Sequence, residues 1–186
     1  MKRWFLLSGV LGMMCCLQVT NAQEKKTDEY GLKVGQKMPV HIVEFFAGAR
    51  KYGCGCPSIM VENAKGSGVE IWTRTNDDQP IQLASALEGR LGDGKKKQAF
   101  LMLFNDSLKK AIADKPDALK KFNVAVPRKE ETGLLNDADP SGKAGTVVFL
   151  LNHKEITAVW TFPPGALTKD RIEEIVRQFG AEKRIE

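Results

Sequence analysis

Two cysteines one residue apart, Cys54 and Cys56, stand in the run Cys54-Gly55-Cys56-Pro57. Three chemistries suit such a pair. The first is redox. A disulfide across a single intervening residue closes a small strained ring, and a strained, exposed disulfide is easily reduced and passes its oxidation to another thiol. Gly55 gives that ring backbone freedom. Pro57 suits the first position of a helix, which sets Cys56 at the positive helix end, with Arg50 and Lys51 near in sequence; both features favour a thiolate. One cysteine would then be the nucleophile and the other would resolve the mixed disulfide. The second chemistry is metal binding: two thiolates joined by Met38, Met60 or His41 suit a soft ion such as Cu(I). Structural zinc would want four ligands at other spacings. The third is a local staple, although closing so short a loop gains little chain entropy.

The remaining candidates have plain structural readings. His41 lies in an apolar strand pattern, where a histidine is more often packed than basic. His153 falls in a hairpin turn, Trp72 and Trp160 fall in strand patterns and read as core, and Asp77-Asp78 ahead of Pro80 reads as a helix cap. No serine-nucleophile motif, phosphate loop or metalloprotease helix is present, and no motif calls for a cofactor.

Cys54 and Cys56 become the whole thiol inventory once the first residues are taken into account. Lys2 and Arg3 precede an apolar run from Trp4 to Leu17 and a small, polar stretch ending at Asn21-Ala22. That is the layout of a secretory signal peptide covering residues 1–22, too short to span a membrane comfortably. Met14 ahead of Cys15 fits a lipidation site poorly. Cleavage removes Cys15 and Cys16, and the expected destination, periplasm or extracellular space, is one where paired cysteines are oxidised. It also lowers the basic count from 28 to 26 against 23 acids, a net charge of +3. With lysines and acids interleaved and no aromatic-basic patch, nucleic acid is not an expected partner, and no membrane association is expected after cleavage.

The remaining 164 residues suffice for one domain with a real core. Residues 23–30 are charged and unpatterned, a flexible leader. Val40 to Phe46 reads as a strand, Ala47 to Gly55 as a glycine-rich turn, and Pro57 to Asn63 as a short helix stopped by Gly66-Ser67-Gly68. Val69 to Thr73 is a strand. Leu83, Leu87 and Leu91 mark a helix closed by Gly92. Ala99 to Phe104 is apolar throughout, as a strand buried on both faces must be. Ser107 to Phe122 is helical by pattern but split by Pro116. Val124 to Pro127 is a strand, and Arg128 to Gly142 a polar loop with Leu134-Leu135 tucked back. Thr146 to Leu151 and Ile156 to Phe162 form a hairpin. Thr168 opens a helix whose Ile172, Ile175, Val176 and Phe179 make an apolar stripe ended by Gly180. The alternation argues for an α/β domain over residues 31–180, with a tail at 181–186.

This order resembles the thioredoxin-like superfamily, and the second half, Phe122 to Pro127, a polar insert, then Ala144 to Leu151 and a hairpin, resembles its exported thioredoxin-like and peroxiredoxin-like members. The resemblance implies an α/β fold: a thioredoxin-like central sheet flanked by helices, with an N-terminal extension carrying the Cys-Gly-Cys segment. It implies thiol-disulfide exchange with a thiol or disulfide protein partner; no catalytic residue carries over by motif, and the residues themselves offer Cys54 and Cys56 if the chain is an oxidoreductase. The family keeps its reactive cysteine just after the first central strand and a cis-proline just before the hairpin. If Val69 to Thr73 is that strand, Arg74 to Gln79 occupy the thiol position and Gly145 the proline position. If Val40 to Phe46 is that strand instead, the cysteines follow it, and the fold gains a strand-helix unit. Two further readings stand beside the redox one: a non-catalytic binding or scaffold module with a structural disulfide, and a Cu(I) binder.

Overall fold

A computed structural model of the chain describes residues 31–92, 96–113, 119–129, 133–139 and 141–181. The expected signal peptide, the leader, Pro116 and most of the tail lie outside the described residues. Among the described residues seven strands, β1 (Val43–Gly48), β2 (Cys54–Gly55), β3 (Ser67–Thr73), β4 (Lys97–Leu103), β5 (Asn123–Pro127), β6 (Thr146–Asn152) and β7 (Glu155–Phe162), form one mixed sheet in the order β2-β1-β5-β4-β3-β6-β7. Among the described residues five helices accompany it: α1 (Pro57–Asn63), α2 (Gln79–Glu88), α3 (Asp106–Ala113), α4 (Leu134–Ala138) and α5 (Lys169–Ala181).

The central strands are apolar on both faces because both faces are covered. In β3, Val69 and Ile71 join the core beneath α2, α3 and α5, with Leu83, Leu87, Leu108, Ile175 and Phe179. The alternate Trp72 joins Phe100, Met102, Phe149 and Val61 of α1 on the other side. The two-residue period of a strand makes this split, and burial on both sides is what a central position requires. β3 pairs in parallel with β4 and antiparallel with β6, and β4 pairs in parallel with β5. The Val69 to Thr73 segment is therefore the first central strand in chain order, and β1, β2 and α1 form the N-terminal extension that carries the cysteines.

Several boundaries differ from the sequence reading. Residues 40–42 precede β1, whose pairing with β5 begins at Val43. Within the glycine-rich turn, Cys54-Gly55 pairs with Val43 and Glu44 as an edge strand, a two-residue element too short to show a period. Gly66 lies outside β3, but Ser67 and Gly68 belong to it, because pairing to Lys97 and Gln98 outweighs the low strand preference of glycine. α2 ends at Glu88, and Leu91 is buried beyond its end. In the polar insert a short helix, α4, forms and buries Leu134 and Ala138. Gly180 lies inside α5. Trp160 is only partly buried, because β7 is an edge strand.

α1 seats tightly on β3. A Cβ at Gly68 would meet the Val61 side chain at 2.4 Å, so glycine there is what lets α1 approach the sheet. Gly68→Ala should lift α1 and destabilise the protein by about 1–3 kcal/mol, the usual effect of overpacking. Val61→Ala in the same chain should recover part of that loss. Urea unfolding midpoints of the two variants check both expectations.

Candidate functional site

Cys54 and Cys56 are free thiols in sharply different surroundings: Cys54 is exposed on the edge strand and Cys56 is buried. The hairpin of β1 and β2 turns through Gly48 and Gly53, both at positive φ, and Phe45 N–H donates to Gly53 O at 2.8 Å. Gly55 lies on the Phe45 ring, where a Cβ would approach Cε2 to 3.0 Å. Packing therefore asks for glycine between the cysteines as much as ring flexibility does. Cys56 is the N-cap residue of α1, in extended backbone, with Pro57 at the helix start and no side-chain cap bond.

Beneath Cys56 runs a buried polar chain. Ser58 Oγ donates to Pro39 O at 3.2 Å, and Cys56 Sγ lies 3.2 Å from Ser58 Oγ. Since the serine proton is spent on the carbonyl, the thiol S–H donates to Ser58 Oγ. His41 Nδ1 also lies 3.0 Å from Pro39 O; a carbonyl only accepts, so Nδ1 carries a proton. The other ring nitrogen, Nε2, faces Glu70 Oε2 at 3.4 Å. Glu70 stands on β3, and its Oε2 accepts from Trp72 Nε1 at 2.9 Å. His41, Ser58 and Glu70 are fully buried. His41 meets Trp72 edge-to-face at 5.2 Å.

A neutral imidazole would point the Nε2 lone pair at a carboxylate, so the geometry calls for imidazolium. Burial alone pushes the His41 pKa down, but the Glu70 charge, the Pro39 carbonyl and Cys56 outweigh it, and the pKa rises from 6.5 to about 9. The pair is held by charge rather than by good hydrogen bonds, for His41 Nε2 and Glu70 Oε1 both lack a hydrogen-bond partner. A buried, imperfectly satisfied ion pair contributes little to stability, and such groups gather where a perturbed charge is used.

Histidine 41 is thus packed, as its apolar setting suggests, but also charged. Glu70 was not among the sequence candidates. A lone acid inside the run Val69-Glu70-Ile71-Trp72, in a strand apolar on both faces, is the signal that could have found it. The capping reading of Asp77-Asp78 changes: Asp78 makes no side-chain cap bond, while Asp77 accepts from Gly165 N–H at 2.8 Å. Met38, proposed with the thiols as a Cu(I) ligand, is fully buried. Among the described residues no group of three or more His, Cys, Asp or Glu side chains gathers to hold a metal, and no helix is long and apolar enough to cross a membrane.

At the far end of β3, the position that the resemblance reserves for a thiol holds Arg74, whose N–H donates to Gly145 O at 2.9 Å. Gly145 occupies the cis-proline position, and a Cβ there would come within 2.8 Å of the Pro164 backbone nitrogen. The Pro163-Pro164 turn therefore leaves no room for a proline ring.

No protein-family model matches the sequence, and no curated protein matches it. Solved structures match in fold. A candidate protein disulfide isomerase from Bacteroides thetaiotaomicron superposes with a TM-score of 0.59 at 9% identity over 81% of this chain and 89% of its own. AhpC from Mycobacterium tuberculosis gives 0.58 at 14% identity over 81% and 97%. A reduced 2-Cys peroxiredoxin from Plasmodium vivax gives 0.55 at 11% identity over 81% of each chain.

The raised His41 pKa has a definite consequence for stability. From pH 6.5 to about 9 the folded state binds a proton that the unfolded state has released, so stability is fully present below 6.5 and falls as pH rises toward 9. Glu70→Gln should flatten this slope and cost about 3–5 kcal/mol where the imidazolium is left unpaired. Urea unfolding between pH 6 and pH 9.5, combined with His41 ring-proton shifts by NMR, measures both.

Proposed function

We propose that this chain, whose fold is thioredoxin-like, is an exported thiol-disulfide exchange protein that works through Cys54 and Cys56 on its N-terminal extension. One observation carries the reading: an exposed thiol and a buried thiol lie one residue apart, and the buried one is linked through Ser58 and the Pro39 carbonyl to a buried His-Glu pair. Cys54 thiolate attacks a partner disulfide, forming a mixed disulfide and expelling one partner thiolate. Cys56 thiolate then attacks Cys54 Sγ, forming the Cys54-Cys56 disulfide and releasing the second partner thiolate. Two electrons pass from the protein dithiol to the partner disulfide, and both partner thiolates take up protons. The reverse sequence oxidises a partner dithiol.

His41 supplies a fixed positive charge beside Cys56, suited to the thiolate that attacks or departs there. The backbone sets the direction of the exchange. In an extended strand, residues i and i+2 lie roughly 6.6 Å apart at Cα, near the upper limit for a disulfide. The dithiol is at ease in the extended chain and the disulfide must bend it, which makes the couple oxidising. The N-terminal basic, apolar and polar series supports export, where such a couple meets reduced cysteine pairs to oxidise.

A second reading has its own observation: Arg74 and Gly145 replace the residues of orthodox thioredoxin chemistry, as expected of a fold retained for binding. Exchange with a dithiol separates the two. Cys56→Ser should trap a mixed disulfide at Cys54, seen by mass spectrometry, and slow turnover of a disulfide substrate by about 10²-fold or more. Cys54→Ser should trap none. A Cys54-Cys56 bond that resists a dithiol, or turnover indifferent to Cys56, would leave only the binding reading.

A further inference from the structure

A cleft of about 480 Å³ opens at the carboxyl ends of the parallel strands β3, β4 and β5, at a distance along the sheet from the β2 edge that bears Cys54. Clefts at this end of parallel strands are the usual ligand sites of α/β sheets. Its walls come from residues immediately following or ending each strand: Arg74 after β3, Phe104 after β4, Val126 and Pro127 at the end of β5. Lys109 of α3 and Lys129 stand on its rim, with Asp106 as the lining acid.

We infer that this cleft binds a small organic carboxylate with an apolar body. Arg74 is built to receive it. Its backbone is pinned, with N–H on Gly145 O and its own carbonyl accepting from Asn105 Nδ2 at 3.2 Å. The guanidinium is only lightly engaged. Nη2 reaches Asp139 Oδ2 at 3.4 Å, whereas Asp139 has closer partners in Ser141 Oγ at 2.5 Å and Ala144 N–H at 2.6 Å. Arg74 Nε is buried without a partner. Five donors in a planar fork, most of them unspent, match a carboxylate edge.

The charge balance sets the size of the anion's charge. Arg74 is offset by Asp139, Asp106 lines the cleft as a further acid, and Lys109 already lies over the Phe46 ring, so the positive charge held in reserve is small. That balance suits a monoanion better than a phosphate dianion. Phe104 and Val126, both partly buried, and the Pro127 ring offer the apolar wall for its body. The assignment is independent of the thiol reading, since neither cysteine lines the cleft.

3-Phenylpropionate, 3-phenylpropanamide and inorganic phosphate, titrated separately into the full-length protein and followed by amide NMR shifts, test the inference. The carboxylate should saturate with a Kd on the order of 1 mM, as a ligand of this size allows, shifting the amides of Arg74 and Phe104 and weakening with salt. The amide should bind about tenfold more weakly. Arg74→Lys, which keeps a cation beside Asp139, should weaken carboxylate binding severalfold, and so should Lys109→Gln with Lys129→Gln on the surface. Absence of saturation, equal affinity for the amide, tighter binding of phosphate, or indifference to both sets of variants would overturn it.

Discussion

The N-terminal extension is organised around the ion pair between His41 and Glu70. A carboxylate on a strand buried on both faces is expensive unless a cation meets it there. The cation comes from residues just ahead of β1, so folding must bring the extension down onto the central strand before Glu70 can be satisfied. Pro39 then acts as a hub: its carbonyl accepts from both His41 and Ser58, and Ser58 in turn holds Cys56. The thiol, the first turn of α1 and the middle of β3 are thereby tied into one polar chain.

That chain explains how a cysteine on the sheet's outer edge comes to lie over its centre. Three strands, β1, β5 and β4, separate β2 from β3 in the sheet. α1 crosses the face between them, and Val61 fits the gap left by Gly68 on β3. Arg74 and Gly145, which stand where a reactive cysteine and a cis-proline would, are joined by a backbone hydrogen bond, and Pro164 closes the space over Gly145. Restoring the orthodox residues one at a time would meet either a buried Asp139 left without its cation or a clash with Pro164.

The fold was legible because its central strands carry their position in composition. Runs such as Phe100 to Leu103 and Val147 to Leu151 have no polar alternation, and only a strand covered on both faces tolerates that. The spacing of Leu83 and Leu87, and of Ile172, Ile175 and Phe179, marks the faces of α2 and α5 in the same way. What was not legible was contact between segments distant in sequence. Nothing local to His41 shows that Glu70 lies across from it, and an isolated histidine in an apolar strand has packing as its simplest account. The edge strand at Cys54-Gly55 was hidden because two residues cannot display a period. α4 was hidden because its five residues sit in a polar insert and are held by the burial of Leu134 and Ala138 rather than by propensity.

In the proposed exchange, the same contacts decide how the two thiols would divide their work. Cys54 has solvent before it, so it can meet a bulky partner disulfide. Cys56 cannot, because α1 and the Pro39 segment enclose it; its accessible electrophile is the neighbouring Cys54 once that residue carries a partner. Burial thus imposes an order of events that the sequence Cys-Gly-Cys leaves open. It also imposes a cost on the oxidised state, since drawing Cys56 toward Cys54 breaks the contact with Ser58 and bends β2 away from its pairing with Val43 and Glu44. The reduced state keeps every one of these interactions, and in the proposed exchange the free energy they represent favours passage of electrons from a partner dithiol onto a Cys54-Cys56 disulfide.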